Sequence, residues 1–367
     1  MKALILSGGS GTRFRPFTYS GAKQLLPAAN RPILFHIIDK LARTEIKDIG
    51  IIVGDNHCEI ELAVGDGKAW NVAITYIYQP QPLGLAHAVK TAADFLQDAP
   101  FIMILGDNLF RMELTDVIRD YYKKPVNSLI LLHISEDPSR YGVAVINRER
   151  VVHLVEKPAV PPSNLIITGI YIFDHTIMDA IDHTIPSARG ELEITDAIQK
   201  QIELGGVVGY ALTEGWWKDT GSIDDFLEAN RLIMDDIKTD SDSVCSTGRE
   251  PKMNDSTKQG IVLAGEDVLI SDSHLSGPVV LGSHVSITGC HLGPYTVIGD
   301  NCVLAGCDID NSVIMEGARI TNLKGRISAS LIGKHTVIEK QDSEQIQAPD
   351  REYSIYLCIG DDSKIIF

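Results

Sequence analysis

Between Leu6 and Pro27 the chain reads LSGGSGTRFRPFTYSGAKQLLP, with glycines and cations interleaved. Gly8, Gly9 and Gly11 lack Cβ atoms, so backbone N–H groups there can close on phosphate oxygens. Arg13 can grip a phosphate with a planar two-pronged contact, and Lys23 adds a compact point charge. Neither common nucleotide loop has this spacing: Phe14 stands where G-x-G-x-x-G needs its third glycine, and the stretch does not form G-x-x-x-x-G-K-[ST]. A turn that used its glycines only to bend would leave the positive charges unexplained in an acidic protein.

Carboxylates supply the second feature. Asp107 ends the apolar run FIMILGD, and Asp219 lies far along the chain in WWKDTGS. Either alone could cap a turn. Converging on one triphosphate, they would hold a hard cation such as Mg²⁺, and in-line displacement at phosphorus depends on such positioning and charge neutralisation. Glu156 and Lys157, ahead of Pro158, suit a sugar phosphate, with carboxylate to hydroxyls and ammonium to phosphate, although such charge pairs are also common on surfaces. Thr168, Gly169, Glu191 and Thr195 add polar groups to the otherwise apolar patterns TGIYIF and ARGELEITDAI.

Such groups must be positioned by regular elements, and the first part of the chain supplies them. KALIL, DIGIIV, AITYIYQ and PFIMIL read as strands, separated by helical periods in RPILFHIIDKLARTEI and LAHAVKTAADFL. That order predicts repeated β-α units and a doubly wound, mainly parallel sheet, whose ligands sit beyond the carboxyl ends of the strands. The Gly-rich loop and Asp107 both fall at such ends.

The character changes after residue 240, where a polar, charged stretch over 241–260 is expected as the linker between a domain over 1–240 and another over 261–367. Beyond it the helical period disappears. From Val279 to Ile320 the chain can be written in blocks of six, and apolar-Gly pairs recur at Leu281-Gly282, Leu292-Gly293, Ile298-Gly299 and Ile332-Gly333. A six-residue period suits a parallel β-helix, each block giving one face, better than a sandwich with turns every ~8–12 residues. The tail DREYSIYLCIGDDSKIIF regains strand-type alternation without indicating where it pairs.

Of the 367 residues, 44% are hydrophobic, and 33 Lys plus Arg stand against 49 Asp plus Glu, a net charge of −16. Two domains are the natural prior for this length, and the acidity argues against a nucleic-acid partner. Six scattered cysteines form no CxxC pair and the start shows no leader-type pattern, so the expectation is a reduced, cytoplasmic protein. No run approaches the ~18 apolar residues of a membrane span.

Taken in order, GGSGTRFRPFT, AKQLLP, QPQPLGLAHAV, LGDN, RYGVAV, VEKP, TGIYIF, ARGELEITDAI and WWKDTGS give the chain a resemblance over nearly its whole length. It resembles the sugar-1-phosphate nucleotidylyltransferases, and within them the long form of the glucose-1-phosphate thymidylyltransferases. The resemblance implies an α/β, Rossmann-like nucleotidyltransferase core followed by a left-handed parallel β-helix of hexapeptide repeats. It implies transfer from dTTP to glucose 1-phosphate, or alternatively a UTP-dependent uridylyltransferase making UDP-glucose or UDP-N-acetylglucosamine, with Mg²⁺ as the cofactor.

By the same resemblance, Arg13 steadies the triphosphate and Lys23 neutralises charge at the reacting centre; Gly8, Gln79 and Gly84 recognise the pyrimidine. Asp107 and Asp219 would be the metal ligands. Tyr141, Gly142, Glu156, Lys157 and Gly169 would form the sugar-phosphate pocket, with Trp217 as part of its wall. Phe14 stands where leucine is commoner in the family and leaves the phosphate contacts undisturbed. A silent regulatory relative would be expected to lose Arg13, Lys23, Asp107 or Asp219, and all four are present. The repeats are expected to serve packing and assembly rather than acetyl transfer, in a homo-oligomer, a trimer ahead of a tetramer.

Overall fold

In the computed structural model, which describes residues 1–9, 11–239, 251–340 and 354–366, the chain divides into two compact units. One comprises 1–10 with 33–219, the other 11–32 with 220–367.

The first unit is built on a 9-stranded sheet. Its parallel part consists of β1 (Lys2–Leu6), β2 (Asp48–Val53), β3 (Ala73–Tyr78) and β4 (Phe101–Leu105). β1 pairs in parallel with β2 and β4, and β2 with β3. Ala3 to Leu6 are buried in unbroken sequence, as expected of a strand covered on both faces. The chain runs outward from β1 to β3 and then returns to β4 on the other side, so strand order reverses between β1 and β4. Clefts for ligands open at such a reversal.

The helix Ile33–Ala42 buries Ile33, Leu34, Ile37, Ile38 and Leu41, the expected one-sided stripe. The second predicted helix is broken into Leu85–Thr91 and Ala93–Leu96, because the Ala92 amide is shared between the Ala88 and Val89 carbonyls.

Beyond β4 the sheet becomes mixed. It adds β6 (Ser128–Ile134), β7 (Gly142–Asn147), β8 (Arg150–Glu156), β9 (Leu165–Phe173) and β10 (Val208–Leu212). β9 runs antiparallel to β6 along one side and, on the other, to β4 and, at Ile166, to β7. Its pairing with β6 slips between Ile167 and Tyr171, at Thr168 and Gly169. A separate ribbon joins β5 (Asn108–Phe110) to β11 (Trp217–Asp219).

In the second unit the helix Ile223–Thr239 precedes a left-handed parallel β-helix whose three sheets hold 7, 6 and 6 strands. Each coil lends one strand to each sheet, and one aliphatic per face points inward. Ile270, Ile287, Leu304, Ile320 and Ile338 align on one face; Leu275, Leu292, Ile309 and Ile327 on the next; Leu281, Ile298, Ile314 and Ile332 on the third. The apolar-Gly pairs have a steric cause. A Cβ on Gly282 or Gly299 would come within 2.6 Å of the next coil's backbone nitrogen.

Three features differ from the expected organisation. Strands Lys252–Asn254 and Thr257–Gln259 already pair with the following coil, so the β-helix begins inside the stretch expected as linker; residues 241–250 lie outside the described residues. Their polarity hid them, since KMN and TKQ carry little to bury. The tail supplies the last coil, with Ser354–Ile355, Cys358–Ile359 and Lys364–Ile366 each extending one sheet. Gly11–Pro32, expected with the N-terminal domain, clusters with the second unit. No helix among the described residues is long and apolar enough to cross a membrane.

Ile309 is 0% exposed, between Leu292 and Ile327 on its face. Ile309→Ala should lower unfolding stability by about 2–5 kcal/mol in chemical denaturation. An unchanged midpoint would contradict the inward ladder.

Candidate active site

Parallel pairing brings the carboxyl ends of β1 to β4 to one edge. Gly8 follows β1, Gln79 follows β3 and Asp107 follows β4. Gly8 and Gln79 are neighbours, because a Cβ on Gly8 would lie 3.3 Å from Gln79 Oε1. Gln79 is 8% exposed and its amide nitrogen points to His87 Nδ1 at 2.9 Å, with the Gly84 carbonyl at 3.4 Å. An amide nitrogen only donates, so His87 Nδ1 accepts and its proton sits on Nε2. Gly84 has φ +105°, and a side chain there would collide with the Leu192 backbone. His87 lies within the quoted LAHAV motif, yet only the fold reveals that it orients Gln79.

Strand register relates the two carboxylates. In the β5–β11 ribbon Asp219 pairs across from Asn108, one residue from Asp107. Asn108 is 1% exposed and its amide donates to the Thr168 carbonyl, tying this end to β9. Gly169, at φ +82°, has no room for a Cβ, which would lie 2.6 Å from both Asn108 Nδ2 and Leu105 Cδ1. Two hard oxygen donors suit a divalent cation that keeps waters and accepts substrate oxygens. Among the described residues no group of three or more His, Cys, Asp or Glu is placed to hold a metal ion.

A third group lies around the β7–β8 hairpin, where Gly142 pairs with Glu156. Thr195 Oγ1 donates to Glu156 Oε2 at 2.8 Å, and Arg189 Nη2 reaches Glu156 Oε1 at 3.3 Å. Arg189 also donates to Glu193 at 2.7 Å. A Cβ on Gly142 would press on Thr195 Oγ1 at 2.9 Å, so glycine keeps that contact open. Lys157 Nζ stands 3.2 Å from Glu156 Oε1, and its backbone holds φ +41°, costly for a residue with a side chain. The Lys157 amide donates to the Tyr141 carbonyl at 3.1 Å.

Tyr141 and His133 flank Trp217, each with ring centroids 5.8 Å from it. Trp217 is 6% exposed and its Nε1–H finds no partner among the described residues, leaving a polar handle on an aromatic wall. Arg189, Thr195 and Asn108 all lie in motifs quoted from the sequence, but their roles depend on long-range partners that spacing does not encode.

Gly11, Arg13 and Lys23 belong to the second unit. Gly11 has φ +59°, and its carbonyl accepts from Thr18 Oγ1 at 2.9 Å. Arg13 is exposed in the short turn Thr12–Phe14, whereas Lys23 is 6% exposed with its ammonium 5.0 Å from the Phe14 ring centroid. Gly9 is unobstructed, with nothing within 4 Å of an added Cβ. The remaining expected residues, from Gly8 to Asp219, belong to the first unit.

Residues 2–236 match the family described as Nucleotidyl transferase. The chain belongs to the nucleotidyl transferase family. The nucleotidyl transferases generally use a divalent metal. Among relatives, a glucose-1-phosphate thymidylyltransferase of Streptomyces antibioticus is 40% identical, covering 100% of this chain and 99% of its own. One from Streptomyces griseus is 38% identical, covering 99% of each. A solved Bacillus anthracis structure carrying the same enzyme name is 36% identical with TM-score 0.60, covering 63% of this chain and 94% of its own.

One titration tests the aromatic wall of this nucleotidyl transferase. Burial and then the charge of Lys218 lower the His133 pKa below 6.5, and its Nδ1 stands 2.7 Å from Thr213 Oγ1. The folded state then binds this proton less readily than the unfolded chain. The stability contribution is complete above the unfolded value and is lost as pH falls toward the folded one. An NMR titration of the His133 ring should give a midpoint below 6.5; one at or above 6.5 would contradict the desolvated setting.

Proposed function

We propose that this chain transfers a thymidylyl group from dTTP to glucose 1-phosphate, giving dTDP-glucose and pyrophosphate. The observation that carries the reading is the register that pairs Asp219 with Asn108, the residue after Asp107, at the reversal of strand order. Likeness to thymidylyltransferases over the full chain supports the choice of substrates.

In this reading an oxygen of the sugar phosphate forms a bond to the α-phosphorus as the bond to the β-phosphate bridging oxygen breaks, and pyrophosphate leaves in line. The attacking oxygen is already anionic, so no general base is needed. The protein's task is to bring two repelling anions together and hold them. Gly9 and Gly11 leave backbone N–H groups open to the phosphates, Arg13 takes the pyrophosphate side, and Lys23 lies at the phosphorus under attack. Lys157 meets the sugar phosphate. Glu156, held by Thr195 and Arg189, accepts from sugar hydroxyls beside Tyr141, Gly142, Gly169 and Trp217. Asp107 and Asp219 would hold the divalent cation, Mg²⁺ in this reading, which when bound neutralises phosphate charge.

Gln79 gives base selection a physical basis. With its nitrogen engaged by His87, the amide offers Oε1 as acceptor beside Gly8 and Gly84. Thymine and uracil present an N3–H to such an acceptor, and cytosine presents a lone pair. The two accepted bases differ by one methyl, worth only about 1–3 kcal/mol. The reading also carries a reducing, cytoplasmic setting that suits the free thiols of Cys290 and Cys307, and a homo-oligomer, a trimer ahead of a tetramer.

The decisive assay is pyrophosphate release with Mg²⁺ across dTTP, UTP, CTP, ATP and GTP, each with glucose 1-phosphate or N-acetylglucosamine 1-phosphate. We expect dTTP with glucose 1-phosphate to lead, UTP to follow and CTP to fail; no turnover with any pair would refute the enzyme reading. Asp107→Asn and Asp219→Asn should each lower kcat by about a hundredfold or more. Wild-type rates at limiting Mg²⁺ would remove both from the metal site. Sedimentation velocity should give an oligomer, and a monomer would overturn the assembly.

A further inference from the structure

The segment Gly11–Pro32 carries Arg13 and Lys23 but little regular structure of its own, chiefly three short 3-10 turns. Its shape is set by elements far along the chain in the same unit. Phe14, fully buried, meets Phe226 of the helix Ile223–Thr239 edge-on, with centroids 6.2 Å apart. The Ala29 amide donates to Asn230 Oδ1 at 2.8 Å, and Asn230 is 1% exposed. Asn30 Nδ2 donates to the Ile298 carbonyl of the β-helix at 2.7 Å.

The last coil makes the most specific attachment. Ser20 Oγ donates to Asp361 Oδ2 at 2.6 Å, while Asp361 Oδ1 accepts from the Lys334 amide at 2.7 Å. One carboxylate thus links the segment to two successive coils. At the neighbouring residue the fit is steric: a Cβ on Gly360 would lie 3.0 Å from Pro16 Cβ, and its three nearest atoms all belong to Pro16. Gly360 is not among the glycines with positive φ, so the space occupied by Pro16 is what a side chain there would violate.

We propose that the last coil of the β-helix is a positioning device for the phosphate-binding segment, with Asp361 and Gly360 as positioning residues for Arg13 and Lys23. The inference rests on the proposed nucleotidyl transfer. Catalytic groups must be held to a fraction of an ångström, and a misplacement of about 1 Å can cost a hundredfold in rate. A segment whose own ladder is limited to the two-residue pairing of Pro27–Ala28 with Arg31–Pro32 obtains that precision from a rigid neighbour. The β-helix supplies it by stacking its coils on backbone hydrogen bonds.

The test uses the full-length chain and four variants: Asp361→Ala, Asp361→Asn, Gly360→Val and Ser20→Ala. Asp361→Ala and Gly360→Val should lower kcat by about tenfold or more, with KM for glucose 1-phosphate unchanged, because neither residue is proposed to touch that substrate. Asp361→Asn should retain near-wild-type kcat, since its oxygen can still accept from Lys334 and its nitrogen can donate to Ser20 Oγ. Ser20→Ala removes only an exposed hydroxyl, so it tests the link even if the larger changes impair folding. Hydrogen exchange should quicken across 11–32 in Asp361→Ala and Ser20→Ala, a readout independent of turnover. Exchange unchanged in both, or wild-type kcat in Asp361→Ala and Gly360→Val, overturns the inference. Failure of the wild-type chain to release pyrophosphate overturns the proposed function instead, and exchange still decides the positioning.

Discussion

Two phosphate-bearing anions repel each other, and an enzyme that joins them must place positive charge between them. In a chain of net charge −16 that charge cannot come from the surface field. It must be local, and the proposed function assigns it to Lys23, Lys157 and Arg13. Lys23 is nearly buried against the Phe14 ring, Lys157 is held by a backbone conformation that most residues avoid, and Arg13 rides on a turn closed by the Thr18 contact to Gly11. Each cation is thus constrained by packing or backbone geometry before any substrate arrives.

The carboxylates obey the same logic with the opposite sign. Asp107 and Asp219 would repel each other if brought together, and the β5–β11 register pairs Asp219 with Asn108, next to Asp107. Two carboxylates that share a site need something cationic to offset them. Asn108, between them in the pairing, is spent on the Thr168 carbonyl and so fixes the ribbon to β9. The irregular register of β9 at Thr168 and Gly169 adjoins this ribbon. It lets a glycine without room for a side chain lie against the strand end that carries Asp107.

Much of this was legible in the sequence where the signal is local. The alternation of strand and helix, the strand-end position of Asp107 and the six-residue period each follow from neighbours a few positions apart, and the fold bears them out. The unread parts depend on distance. Nothing in KMN or TKQ reveals that they form a coil, because parallel stacking satisfies polar strands through backbone bonds to a partner one coil away. Lys2 to Leu6 announces a buried strand by composition alone, whereas Arg189, Thr195 and His87 acquire meaning only when the chain folds back to place Glu156 and Gln79 beside them. The destination of the tail was hidden for the same reason, since alternation specifies a strand and not its partner.

The membership of Gly11–Pro32 is the clearest case of sequence order misleading. Adjacency to β1 suggests a loop that belongs to the first sheet, but Phe14 and Phe17 are apolar residues that must be buried somewhere. The helix Ile223–Thr239 presents Phe226 and Asn230 to this segment, one to take an aromatic edge and the other to cap the Ala29 amide. A glycine-rich turn able to approach phosphate has little enthalpy of its own to hold it. The freedom that lets the backbone close on an anion is the same freedom that must be removed for catalysis. A stack of coils with one inward aliphatic per face is suited to removing it, because its backbone hydrogen bonds run from coil to coil and leave few ways to deform. On this argument the repeat serves the chemistry by being monotonous: a regular lattice fixes an irregular loop.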